Sequence, residues 1–180
     1  ALEVAQDKLL MRRRLAALGI PVPGWAEVSD REGLAAFLAA NGGSAVVKTP
    51  RGGYDGKGVR VVRDADAADD WLAAGPVLVE QLVDFRRELA QLVARRPSGE
   101  VAAWPLAETV QRDGVCAEVI APAPQAGGLL DEARDLAVAV AEGLDVTGVL
   151  AVELFETADG RLLVNELAML PHNSGHWSCE

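Results

Sequence analysis

Apolar residues recur at helical spacing over residues 5–18, where Leu9, Leu10, Leu15 and Leu18 share one broad face and Gly19 is placed to end the helix. Pro21 and Pro23 then predict an extended connection. Ser29-Asp30-Arg31-Glu32 reads as a capping box, the Ser29 side chain accepting from the amide three residues on while Glu32 reaches back, so a helix is expected over 32–40. Asn41-Gly42-Gly43 stops it.

The period then changes to that of strands. Residues 45–49 and 59–63 flank a glycine-rich loop, 50–58, as a hairpin with a long tip, and 66–74 predicts a short helix. Strands are expected at 77–83, 87–95, 101–108 and 116–121, the middle pair turning at Pro97-Ser98-Gly99. The clearest helix is 129–144, apolar at Leu129, Ala133, Leu136, Ala137, Val140 and Leu144, and 149–156 with 162–168 form a last hairpin. Without regular alternation of strand and helix, the expected class is α+β, with antiparallel sheets and packed helices.

Composition narrows what such a fold can do. The 180 residues, 50% hydrophobic, support one sizeable core or two small lobes. A formal charge of -10 argues against binding a nucleic-acid backbone, so an anionic ligand needs a local basic pocket. No run of about 18 apolar residues and no leader-like start are present, which predicts no membrane span and a cytoplasmic setting. Cys116 and Cys179 make no metal-ligand spacing and read as reduced structural thiols. The missing initiator Met, with an end four residues after His176, leads to the expectation of a piece of a longer protein.

In the last hairpin, Asp159-Gly160 predicts a two-residue turn with Ala158 facing Arg161. Counting outward sets Glu153 opposite Glu166 on one face, with β-carbons roughly 5 Å apart. Two bare carboxylates so placed repel, which a bridging cation, a retained proton or a bulged register would relieve. Mg²⁺ takes oxygen ligands and typically combines one or two carboxylates with substrate phosphates. The alternative is that one glutamate occupies a solvated strand position.

Lys48 ends an apolar run and precedes Arg51-Gly52-Gly53-Tyr54-Asp55-Gly56-Lys57-Gly58, where four glycines in eight residues free backbone amides to approach phosphate oxygens and Lys48 and Lys57 supply charge. A solvated hairpin tip is the plainer reading of the glycines alone. Glu80-Gln81-Leu82-Val83 could offer backbone to an adenine edge and Glu88 a carboxylate to ribose, although strand-end glutamates are commonplace. Pro171-His172-Asn173-Ser174-Gly175-His176-Trp177 contains both histidines and suits a small oxyanion, or simply a turn. A nucleophilic Ser174 lacks the Gly-x-Ser-x-Gly elbow.

In order over nearly the whole chain, these strings, with Ala5-Gln6-Asp7-Lys8, Arg87-Glu88, Ala121-Pro122-Ala123, Ala151-Val152-Glu153 and Asn165-Glu166-Leu167-Ala168, resemble the ATP-grasp subunit of the 5-(carboxyamino)imidazole ribonucleotide synthase family. The resemblance implies an ATP-grasp fold, with 45–83 as a small ATP-clamping lobe and 84–180 as a larger one, between further N- and C-terminal domains. It implies that bicarbonate is phosphorylated by ATP and that the carboxyphosphate carboxylates 5-aminoimidazole ribonucleotide in purine biosynthesis. By the same resemblance, Lys8 and Lys48 would contact ATP phosphates, with the loop containing Gly53, Gly56 and Lys57 closing over them. Glu80, Leu82 and Val83 would hold adenine, and Glu88 ribose. Glu153 and Glu166 would bind Mg²⁺, with Mn²⁺ as the alternative. Tyr54 and Asp55 would face the aminoimidazole, and His172 and Asn173 bicarbonate; a homodimer is also implied. One departure stands out: Leu170 occupies the place of a family Arg two residues before His172, a change expected to weaken bicarbonate capture. Another carboxylate ligase, of the biotin carboxylase or glycinamide ribonucleotide ligase type, should lack Tyr54-Asp55 and the 172–177 string; a nucleotide-binding protein with impaired catalysis is the third reading.

Overall fold

Two antiparallel sheets with helices packed against them make up the fold in a computed structural model that describes residues 1–53, 57–169 and 172–178. The predicted first helix is broken in two, α1 (Leu2–Gln6) and α2 (Lys8–Ala17). Asp7 adopts extended backbone between them and caps α2, its carboxylate accepting from the Leu10 amide at 3.0 Å. The next segment supplies an unforeseen strand, β1 (Trp25–Val28), just beyond the two prolines. Helix α3 (Arg31–Ala40) is capped by Asp30, not Ser29; Asp30 accepts from the Gly33 amide at 2.8 Å.

Strands β2 (Ala45–Lys48) and β3 (Val59–Val62) form the expected hairpin, followed by a 3₁₀ turn at Ala65–Ala68, the single-turn α4 (Asp69–Leu72) and β4 (Val77–Gln81). These make a four-stranded sheet in the order β1-β4-β2-β3. Its core joins Val47, Val62, Val77 and Val79 to Val28, Leu34 and Leu38, so β1 and α3, which precede residue 45, share its packing.

The longest strand, β5 (Phe85–Arg95), organises the second sheet. The strand expected over 101–108 is divided into β6 (Val101–Ala103) and β7 (Ala107–Arg112), because Pro105 lacks the amide that a continuous ladder requires. With β8 (Val115–Ile120), helix α5 (Leu129–Gly143), β9 (Gly148–Thr157) and β10 (Leu162–Ala168), the order is β10-β9-β5-β7-β8, and β6 pairs β5. Ala133, Ala137 and Val140 of α5 and Met11 and Leu15 of α2 share a core with Leu89, Val152 and Leu154. Among the described residues no helix is long and apolar enough to cross a membrane.

Candidate nucleotide-binding cleft

Strand parity decides what faces the space between the sheets. In the small sheet Ala45, Val47 and Val79 point into the helix-packed core, which turns Val46, Lys48 and Glu80 the other way. In the large sheet Leu89, Val152 and Leu154 are committed to the α5 side, so Glu88, Glu153 and Phe155 face oppositely. Together these outward faces line a cleft of about 790 Å³, within the usual range for small-molecule sites. Apolar walls come from Val46, Leu82, Val83, Phe155 and Leu167, and Lys8, Gly53 and Lys57 also line it.

Glu153 and Glu166 are paired across β9 and β10, as expected, but by a different route. The turn has a three-residue tip, 158–160, closed by the Thr157 amide on Arg161 O at 2.9 Å, with Gly160 at φ 81. That shifts Leu162, Leu163 and Val164 by one against the expected register, and a bulge between Val164 and Glu166 shifts it back. Asn165 is the extra residue. Its backbone oxygen accepts from Arg12 Nη2 at 2.6 Å and its side-chain oxygen from Lys48 Nζ at 3.1 Å.

Mutual repulsion of the two glutamates is relieved by separate partners. Lys8 pairs with Glu166, and His172 Nε2 lies 3.0 Å from Glu153 Oε1. His172 Nδ1 is 2.7 Å from Ser174 Oγ, and Ser174 is fully buried, which leaves no room for a nucleophile there. Among the described residues no cluster of three His, Cys, Asp or Glu is poised for a metal. Two carboxylates beside the Asn165 amide oxygen, all lining one cleft, are nonetheless the hard oxygen donors that Mg²⁺ takes.

Lys48 and Glu80 are both nearly buried, 7% and 2% exposed, with Lys48 Nζ 2.6 Å from Glu80 Oε2 and Arg12 on Oε1. Burial alone would raise the Glu80 pKa, but the charges of Lys48 and Arg12 outweigh it and hold the carboxyl below its usual range. Two cations thus occupy the Glu80 carboxylate, and Glu80 lines the cleft together with Leu82 and Val83 past the end of β4. Glu88 shows the opposite shift: burial, with Glu153 adding to it, pushes its pKa up against a hydrogen bond from Gln111. Cys116 also lines the cleft, its thiol pushed up by burial and by Glu153 and Glu88.

At the loop base, the Thr49 amide donates to Gly58 O at 3.0 Å and the Lys8 amide to Pro50 O at 2.9 Å. Asp7 holds Arg51 at 3.0 Å. A β-carbon on Gly53 would sit 2.5 Å from Lys57 O, so that close approach requires glycine. Tyr54, Asp55 and Gly56, like Leu170, lie outside the described residues. Asn173 lines the cleft, and its Oδ1 is buried without a hydrogen-bond partner among the described residues. Sequence reasoning missed Arg12 and Asn165; Arg12 follows Lys8 by four and precedes Leu15 by three, spacing that places it on the inward face.

Two sheets enclosing a cleft of lysines, carboxylates and a glycine loop are accounted for by the family match: residues 13–180 fit the ATP-grasp domain, and the chain belongs to the ATP-grasp family. It is 58% identical over 186 aligned residues to the N5-carboxyaminoimidazole ribonucleotide synthase of Mycobacterium tuberculosis, covering 100% of this chain and 43% of that protein. Among solved structures, an ADP complex of N5-carboxyaminoimidazole ribonucleotide synthetase is 37% identical with a TM-score of 0.90, over 98% of this chain and 48% of that one. The Aspergillus clavatus synthase in complex with ADP and 5-aminoimidazole ribonucleotide is 29% identical with a TM-score of 0.85, over 97% and 47%. The chain thus spans somewhat under half the length of these relatives.

Proposed function

We propose that this chain is the ATP-binding core of an enzyme that phosphorylates bicarbonate and passes the resulting carboxyl group to the amine of 5-aminoimidazole ribonucleotide. The observation that carries this reading is the meeting of Lys8 and Lys48 with the paired Glu153 and Glu166 in one cleft. A bicarbonate oxygen attacks the γ-phosphorus, the bond to the β-phosphate oxygen breaks and ADP leaves. The ribonucleotide amine then forms a carbon–nitrogen bond, losing a proton as inorganic phosphate departs.

Lys8 and Lys48 neutralise the triphosphate, Lys8 leaving Glu166 to do so, and the loop carrying Gly53, Gly56 and Lys57 covers it. Glu80, which also anchors Lys48, holds adenine together with the backbone of Leu82 and Val83, and Glu88 receives ribose. Glu153 and Glu166, beside Asn165, would hold Mg²⁺, which when bound neutralises charge developing on the phosphates. Tyr54 and Asp55 face the aminoimidazole; His172 orients Glu153 and, with Asn173, borders the bicarbonate. In this reading residues 45–83 clamp the nucleotide, and the rest of the intact protein, acting in the cytoplasm as a homodimer, completes the ribonucleotide site.

The test is ADP release by the intact gene product with bicarbonate and 5-aminoimidazole ribonucleotide each present or omitted. Release should need both. Independence from either overturns the reading, and tight ATP binding without turnover favours a binding protein with impaired catalysis, for which Leu170 is the sequence argument.

A further inference from the structure

Arg12 does not line the cleft, yet it touches both groups on which the cleft's polar cluster depends. Its side chain is fully buried between the sheets. Nε donates to Glu80 and Nη2 to the Asn165 backbone oxygen at 2.6 Å. Glu80 holds Lys48 at 2.6 Å, and Lys48 donates to Asn165 Oδ1 at 3.1 Å. The contacts close a ring that joins α2, β4, β2 and β10.

We propose that Arg12 is a positioning residue for the phosphate site, holding Lys48 and the bulged Asn165-Glu166 pair where a triphosphate and its cation need them. The inference rests on the functional reading above. Were Glu80 and Lys48 alone, the ammonium could be drawn onto both carboxylate oxygens and neutralised there. Arg12 occupies Oε1, confines Lys48 to Oε2 and leaves the ring one cation in excess, which suits an anion. Its second arm satisfies the backbone oxygen of the extra residue in the bulge, the feature that sets Glu166 opposite Glu153. Lysine cannot replace it, because a single ammonium lacks the planar fork that reaches a carboxylate and a carbonyl on different strands. Arg12 Nη1, meanwhile, is buried with no hydrogen-bond partner among the described residues, an arrangement that fits a group kept for placement better than one kept for stability.

The experiment compares binding of ATP and of adenosine to the intact gene product and its Arg12→Lys variant by calorimetry, with thermal unfolding alongside. ATP affinity should fall at least about tenfold, while adenosine affinity stays within about twofold, since only the phosphates meet the displaced Lys48. Unchanged ATP affinity, or a parallel loss of adenosine, overturns the role. If Arg12→Lys does not fold, Arg12→Gln, which removes the guanidinium but leaves Glu80 and Lys48 in place, is read in the same way. Wild-type protein that binds ATP no better than adenosine would overturn the phosphate site itself and the proposal with it; a wild-type preference preserved in the variant defeats Arg12 alone.

Discussion

His172 bridges Glu153 and Ser174: Nε2 lies 3.0 Å from the carboxylate and Nδ1 2.7 Å from the hydroxyl. A carboxylate only accepts, so Nε2 carries the ring proton and Nδ1 accepts from Ser174 Oγ. The carboxylate thereby sets the tautomer, and the Ser174 hydroxyl and its backbone amide, 3.4 Å from Nδ1, hold the ring in the direction that meets Glu153. Ser174→Ala should lower turnover about tenfold, within the usual effect of removing a group that orients a metal ligand, and leave ADP affinity unchanged. Steady-state rates beside an ADP titration check this; wild-type turnover would sink it.

Glu80 carries two buried cations, and removing its charge strands both. Glu80→Gln should cost about 3–5 kcal/mol of unfolding free energy, measurable by urea denaturation, and a loss under about 1 kcal/mol would contradict the ring. Because its folded pKa is depressed, Glu80 contributes stability above the ordinary glutamate range and loses it as pH falls through the lowered value.

Glu88 behaves in the reverse sense. Its raised pKa means that the folded state favours the protonated acid; relative stability is greatest below the ordinary glutamate value and is lost as pH rises through the raised one. Glu88→Gln should therefore melt higher than wild type near neutral pH, by a few degrees, with the gap closing below about pH 4. Melting curves across pH decide it, and a gap that does not narrow in acid rules the account out.

Gly53 lies where a side chain would strike Lys57 O at 2.5 Å. Gly53→Ala should reduce ATP turnover about tenfold, some 1.4 kcal/mol of barrier, by holding the loop base apart. The melting temperature should fall as well, by a few degrees, because the atom struck is backbone and cannot swing aside. Equal turnover would show that the loop base tolerates the displacement.

In sequence, Leu170 stands two residues before His172, where the resemblance expects an Arg. Leu170→Arg should raise bicarbonate-dependent ADP release, and a neutral or harmful effect would show that the position has been misread.

The strand positions were legible because short apolar runs such as Ala45-Val46-Val47 lie between glycine- and proline-containing breaks, and a lysine ending such a run, the buried Lys48, stood out. Arg12 was hidden within Arg12-Arg13-Arg14: composition cannot separate one buried guanidinium from neighbours that are exposed. The Glu153–Glu166 pairing was anticipated from a two-residue turn, whereas the longer turn and the Asn165 bulge offset each other. Such compensation depends on the tertiary partners of Asn165, and no local pattern encodes it. The break at Asp7 was missed because a capping side chain can interrupt a helix without glycine or proline.

The ring through Arg12 joins residues 153 positions apart, and Lys8 meets Glu166 across 158. The polar cluster is thus among the least local structures in the chain, and such contacts form late because loop closure precedes any gain from them. During synthesis, β2 and β4 can meet long before β10 exists, so Lys48 and Glu80 wait for Asn165. The ring of Arg12, Glu80, Lys48 and Asn165 closes only once that strand has docked.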